Sequence, residues 1–259
     1  MGQHLAVGVI GSFAVWRSGI ILDGTEVGSR KARLLLALLA VERRRWAPID
    51  RVIDVLWGDA PPRRPAQNAA TVVSRLRAAF GPAIVVGGRA GYRLGEHVAV
   101  DLHDAAGLVE LAEAEASDDL ALLSARRALE LLDQGGVLDG WPDREVKWAE
   151  PARGLQAALA RRARHTMAEA ALRLGDPRTA AEAAETALAI DAFDEVACRM
   201  LMRARSAAGE PARALLAYER LRSTLAVELG ADPAAQTRDL HIAILNGWPA
   251  SAPVDAGRH

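Results

Sequence analysis

Apolar and polar positions alternate loosely over residues 5–28, broken by Gly8, Gly11, Gly19, Gly24 and Gly28. This pattern predicts three short strands, Leu5 to Ile10, Phe13 to Trp16 and Ile20 to Leu22, with a turn at Asp23-Gly24. From Ser29 the period lengthens. Ala32, Leu35, Leu36, Leu39 and Ala40 mark one face of a helix, and the Ser29 hydroxyl suits its N-cap. Pro48 and Asp50 open a second helix carrying Val52, Ile53, Val55, Leu56 and Trp57, stopped by Gly58. Three prolines between Asp59 and Pro65 predict a loop. A third helix follows over 66–80, with Ala69, Val72, Val73, Leu76 and Phe80 on its apolar face. Gly81-Pro82 ends it. Ile84 to Val86 and Tyr92 to Leu94 then flank a Gly-Gly-Arg-Ala-Gly turn and read as a hairpin. Three strands, three helices and a closing hairpin describe a winged helix-turn-helix.

Beyond Asp104 the strand pattern vanishes, and Ala, Leu, Glu and Arg favour helix throughout. Candidate helices cover 104–116, 118–133, 150–174, 177–190, 194–208, 211–228 and 233–246. Gly175-Asp176-Pro177 and Gly209-Glu210-Pro211 are alike and lie 34 residues apart. Each places a glycine at a helix end and a proline in the next first turn, where its missing N–H does no harm. That period is the one of tetratricopeptide helix pairs, with Ala180 and Ala214 as equivalent small packing residues. The fold class expected is mainly α with small β. Residues 1–100 form a winged helix-turn-helix, 101–248 an all-helical tetratricopeptide-like domain, and 249–259 a disordered tail.

The length of 259 residues and a charged fraction of 25% fit an ordinary globular chain. The single cysteine, Cys198, excludes an intramolecular disulfide and a cysteine metal site, and inside an apolar helical stretch it reads as a buried thiol. No apolar run reaches the roughly 18–20 residues of a membrane helix. Met-Gly-Gln-His-Leu lacks the features of a signal peptide, so a cytoplasmic, nucleoid-associated protein is expected, with no membrane partner. The net charge of −1 hides an asymmetry. Residues 1–100 hold 14 basic and 7 acidic side chains, the remainder 18 and 26. A basic half joined to an acidic half suggests that the first meets a polyanion.

The third helix carries a polar face of Gln67, Asn68, Thr71, Ser74 and Arg75, opposite its apolar one. In a major groove, Arg reads guanine, Asn and Gln read adenine, and Thr meets a thymine methyl or a polar edge. Helix-turn-helix proteins make such contacts from the first half of this helix. Arg63, Arg64, Arg77 and Lys31 are placed to reach phosphates, which position the protein without reading sequence. Arg89 near the hairpin tip suits the adjacent minor groove, and Arg93 the DNA backbone. A polar helix face is ordinarily just solvated. Its coincidence with a wing and a basic half favours DNA.

Gln67 to Gly81, then Gly91-Tyr92-Arg93-Leu94, resemble the recognition helix and wing of response-regulator winged helices. Arg30 to Leu39 and Asp50 to Gly58 sharpen this to a resemblance with the Streptomyces antibiotic regulatory protein family. Its members join that winged helix to a helical bacterial transcriptional activation domain. Leu138-Asp139-Gly140-Trp141 is similar to a loop of that domain. Ala214 to Arg222, followed by Leu225 to Pro233, resemble its most specific signature. The resemblance implies a DNA-binding regulator, usually an activator, that binds promoter direct repeats and helps recruit RNA polymerase, with a homodimer possible on DNA. By position it implies base reading by Thr71 and Arg75, phosphate contacts by Ser74 and Arg77, and a wing contact by Arg89. Val72 stands where many relatives carry a polar residue, and Pro142 to Val146 depart from the usual acidic-aromatic run. The competing reading is a protein-interaction scaffold with a vestigial DNA-binding domain.

No catalytic constellation is evident, and no cofactor or metal is expected. The six histidines show no ligand spacing. The glycine-rich segment Gly87 to Gly91 leads into a strand, whereas a phosphate loop would lead into a helix. Asp101, His103 and Asp104 are explained by a strand exit and a helix cap. Trp141 and Tyr218 could line a concave partner surface, though core packing is the commoner role of such residues. Arg126-Arg127 and Arg161, Arg162 and Arg164 read as solvated helix faces.

Overall fold

The computed structural model describes residues 4–247 except Asp23 and Arg44. The expected tail and the Asp23-Gly24 turn lie wholly or partly outside these residues. The elements run β1 (Leu5–Gly8), β2 (Ala14–Arg17), β3 (Ile20–Ile21), α1 (Gly24–Val27), α2 (Arg30–Val41), β4 (Ala47–Pro48), α3 (Ile49–Trp57), α4 (Pro65–Phe80), β5 (Val85–Gly88), β6 (Gly91–Leu94) and β7 (Ala99–Val100). Helices follow: α5 (Asp101–Ala114), α6 (Asp118–Leu132), α7 (Asp143–Val146), a 3-10 turn (Lys147–Ala149), α8 (Glu150–Arg173), α9 (Pro177–Ile190), α10 (Glu195–Ala207), α11 (Pro211–Leu229) and α12 (Ala235–Leu245).

The chain forms two compact units, residues 1–106 with 130–158, and 107–129 with 159–259. The first unit holds both sheets. One sheet has the order β3-β2-β1-β7, with β1 and β7 parallel, and the other is antiparallel in the order β4-β6-β5. Strands β4 and β7 are two residues each, too short to leave an alternating pattern in the sequence. Ser29 caps α2 through Ala32 N–H, as its position suggested. Leu34, Ala37 and Leu38 are buried along with the expected face of this helix. It packs on α3, α4, β1 and β6, and a helix enclosed on several sides is apolar all round.

The sequence suggested one boundary near residue 100, yet residues 130–158 group with the N-terminal unit. The reason is backbone pairing. Leu138 N–H donates to Val9 O at 2.7 Å, Gly11 N–H to Gly136 O at 3.0 Å, and Asp139 N–H to Gly11 O at 2.8 Å. Trp141 then meets Phe13 edge-on, with ring centres 5.9 Å apart. Gln156 closes the loop from α8, donating to Leu132 O and Gly135 O and accepting from Val137 N–H.

Where β1 ends, Val9 and Ile10 turn their N–H groups to the Asp101 carboxylate at 2.9–3.0 Å, and Leu102 N–H adds a third donor at 2.7 Å. His103 Nε2 donates to Ala40 O at 3.2 Å, and Asp104 lies 3.9 Å from Arg43. These contacts give the Asp101, His103 and Asp104 group structural partners.

In the second unit, α9, α10, α11 and α12 pack in succession. The two 34-spaced corners share one hydrogen-bond pattern. Asp176 N–H reaches Ala171 O and Glu210 N–H reaches Arg205 O, both at 2.8 Å. Gly175 N–H reaches Leu172 O and Gly209 N–H reaches Ser206 O. Both glycines are left-handed, at φ 72° and 76°, which is the Schellman ending a side chain would strain. Ala180 and Ala214 are fully buried. This is a tetratricopeptide-like arrangement. Tyr218 is core, stacked on His241 at 3.9 Å, so it lines no partner surface. Of the arginines expected to be solvated, Arg126, Arg127, Arg161 and Arg162 are exposed, Arg162 pairing at the surface with Glu113 at 2.5 Å, while Arg164 is buried, which corrects the expectation at that one position. Cys198 is buried, and burial aided by the Glu195 charge pushes its thiol up to about 12, so it is not a nucleophile near neutral pH.

Asp101→Ala strands three backbone donors and is expected to cost roughly 2–4 kcal/mol in denaturant unfolding. Burial, outweighing these hydrogen bonds, raises the Asp101 pKa above its ordinary 3.8. The folded chain therefore holds this proton more tightly than the unfolded one. The proton-linked part of its contribution to stability is greatest in acid and is lost as pH rises through the raised value. The stability gap between the parent and Asp101→Ala should thus widen as pH falls from neutral toward about 4.

Candidate nucleic-acid interface

Helix α4 is split cleanly by burial. Ala69, Val73, Leu76 and Phe80 are buried, while Gln67, Asn68, Thr71, Ser74, Arg75 and Ala78 are exposed. Val72, expected in the core, lies between the two faces and is half-buried. The helix starts with Pro65 in its first turn, and Arg64 at the N-cap makes no side-chain cap. No acidic residue sits in that first turn, so nothing there repels an anion. At the other end, Arg17 Nη2 donates to Ala79 O at 2.8 Å, and its guanidinium lies 5.2 Å from the Phe80 ring centre. This cation satisfies a terminal carbonyl and fixes the helix against β2.

The wing is a hairpin whose register pairs Gly88 with Gly91, leaving Arg89 and Ala90 as its two-residue turn. Gly87 has φ +124°, and a side chain there would run into the Gly91 carbonyl and the Trp46 ring. Only glycine lets these strands and the indole approach so closely.

The eleven residues singled out from the sequence fall into two groups. Gln67, Asn68, Thr71, Ser74, Arg75, Arg63, Arg64 and Arg89 are exposed. Arg64, Arg75 and Arg89 have no ion-pair or hydrogen-bond partner among the described residues. Thr71 Oγ1 donates to Gln67 O at 3.1 Å, one turn back. Arg77, Arg93 and Lys31 are instead engaged within the protein. Arg77 is half-buried, and its Nε and Nη2 donate to Val85 O and Gly87 O, both at 2.9 Å. Arg93 pairs with Glu96 at 2.9 Å and lies over Trp46. Lys31 Nζ donates to Leu56 O and lies over Trp57. The sequence shows the charge of these three side chains but not the carbonyls and rings that fold back to meet them. Trp46, exposed beside the wing, escaped sequence reading because it falls in no periodic segment.

No group of three metal-ligating side chains gathers among the described residues, and no described helix is long and apolar enough to cross a membrane.

A helix with one bare polar face, braced by two others and followed by a hairpin, is a winged helix-turn-helix, here with tetratricopeptide-like helices in the same chain. Residues 100–245 match the bacterial transcriptional activator domain. The regulatory protein AfsR of Streptomyces coelicolor is 34% identical over 97% of this chain, which spans 25% of that protein. EmbR of Mycobacterium tuberculosis is 30% identical over 91% of this chain and 63% of its own length. MoaR1 of the same organism is 30% identical over 88% of this chain and 76% of its own. A solved structure of M. tuberculosis EmbR superposes with a TM-score of 0.81 at 26% identity, covering 95% of this chain and 66% of that one. The chain belongs to the bacterial transcriptional activator domain family, and these relatives are named as regulatory proteins.

Arg77→Ala removes both donors that hold β5 to α4. It is expected to cost about 1–2 kcal/mol of stability and to speed amide exchange at Gly87–Gly91. Arg77→Lys should recover little, because an ammonium cannot reproduce the planar fork. Denaturant melts and hydrogen exchange read the two effects.

Proposed function

We propose that this chain is a sequence-specific DNA-binding transcriptional regulator of the bacterial cytoplasm, acting as an activator of a biosynthetic gene cluster. In this reading α4 lies in the major groove of promoter direct repeats, and the wing 84–94 lies beside it. Gln67, Asn68, Thr71 and Arg75 read base edges, Ser74 and Arg64 hold phosphates, and Arg89 reaches the neighbouring minor groove. Arg77 acts through the wing it braces, Arg93 through Trp46, and Lys31 through the end of α3. In this reading residues 1–100 form the DNA-binding part and 101–248 the helical part. The helical part contacts RNA polymerase holoenzyme or a second protomer on the DNA.

The observation that carries this reading is the bare face of α4. Six polar or small positions on one side of a helix anchored by its other side have no protein partner beyond a one-turn Thr71 bond. The basic excess of residues 1–100 supports it.

Selection of bound duplexes from a random library, followed by titration at several salt concentrations, tests the reading. Affinity should fall linearly with log salt as phosphate contacts release counterions. Arg75→Ala should lose about 1–3 kcal/mol on the selected sequence and relax preference at one position. Retention of both affinity and sequence preference in Arg75→Ala would overturn the assignment of α4. Retention of protein partners after nuclease treatment, with no duplex selected, would favour the scaffold reading instead.

A further inference from the structure

Within the N-terminal unit, a recess of about 580 Å³ opens between α2, the end of α3 and the segment 144–148. Its volume falls in the range of small-molecule sites, roughly 300–1,000 Å³. Its wall combines two chemistries. Leu34 and Val55 with the Trp57 and Trp148 indoles supply an apolar, aromatic surface. Trp148 is held in place because its Nε1 donates to Glu145 O at 2.8 Å. Four cations, Arg30, Lys31, Arg144 and Lys147, face two carboxylates, Asp54 and Glu145.

The carboxylates are already answered. Arg30 grips Glu145 through Nε and Nη2 at 2.9 and 2.7 Å, and Asp54 lies 3.8 Å from Arg51. Arg144 and Lys147 have no partner among the described residues, and both are exposed at the recess. Lys31 is fixed over Trp57 by its bond to Leu56 O. Cations and indoles that line one recess complement a planar organic body carrying a negative group.

We propose that this recess binds a small aromatic anion, its carboxylate or phosphate met by Arg144 and Lys147 and its ring set against Trp57 and Trp148. The site does not depend on the DNA-binding reading, and the test uses no DNA until its last arm. Salicylate and phenyl phosphate are titrated calorimetrically into the full chain, alongside neutral salicylamide and inorganic phosphate. The two aromatic anions distinguish a carboxylate ligand from a phosphate one. The expected result is saturable one-site binding of at least one aromatic anion. It should be about tenfold weaker for salicylamide and for phosphate alone. Arg144→Gln with Lys147→Gln, both exposed, should weaken it by about tenfold with no change in thermal midpoint. The indole N–H resonances of Trp57 and Trp148, assigned through Trp→Phe variants, should shift on binding. Absence of saturable binding up to about 10 mM, affinity unchanged in the double variant, phosphate binding as tightly as the aromatic anions, or unmoved Trp57 and Trp148 signals would each overturn the proposal. So would displacement of the bound anion by duplex DNA in the Arg75→Ala chain, which would mark the rim as a phosphate-backbone contact.

Discussion

At the exit of β1 the sheet stops, but the chain still carries the buried N–H groups of Val9 and Ile10, and no strand takes them. The Asp101 carboxylate accepts both, together with the first N–H of its own helix. Burying a carboxylate is costly unless several donors compensate it. Here one side chain joins residues more than ninety positions apart and ties the start of the first sheet to the start of α5. The strand exit so fixed leaves the Val9 and Gly11 carbonyls available to the 136–139 loop. Residues 130–158 thereby join the N-terminal unit, and the aromatic recess gains one of its walls.

The same economy of backbone groups shapes the polar face of α4. Its terminal carbonyl is taken by Arg17, and the wing carbonyls of Val85 and Gly87 by Arg77. Arg77, which looks like a phosphate ligand in a linear sequence, instead holds the hairpin to α4. Arg63, Arg64, Arg75 and Arg89 have no side-chain partner among the described residues.

Much of this was legible without coordinates. The apolar stripe of α4, the stop at Gly81, the hairpin and the 34-residue corner follow from periodicity and from glycine and proline chemistry. Thr71 and Arg75 were placed on the exposed face because the opposite face is unambiguous. What escaped reading depends on long-range pairing. The two-residue strand β4 falls in no alternating run and left no trace, and of β7 only its exit at Asp101 was legible. The pairing of Val9 with Leu138 spans a separation that local patterns do not encode. The burial of Arg164 and the pairing of Arg162 with Glu113, from a helix 49 residues earlier, could not be read locally.

The matched corners at Gly175 and Gly209 carry an implication for how such chains change size. At each corner the N–H groups of the glycine and the residue after it satisfy the last free carbonyls of the helix just before it. Gaining or losing one helical hairpin at such a joint disturbs only the adjoining layer of packing. Homologues of different length can therefore arise by whole-hairpin duplication or deletion at such a joint.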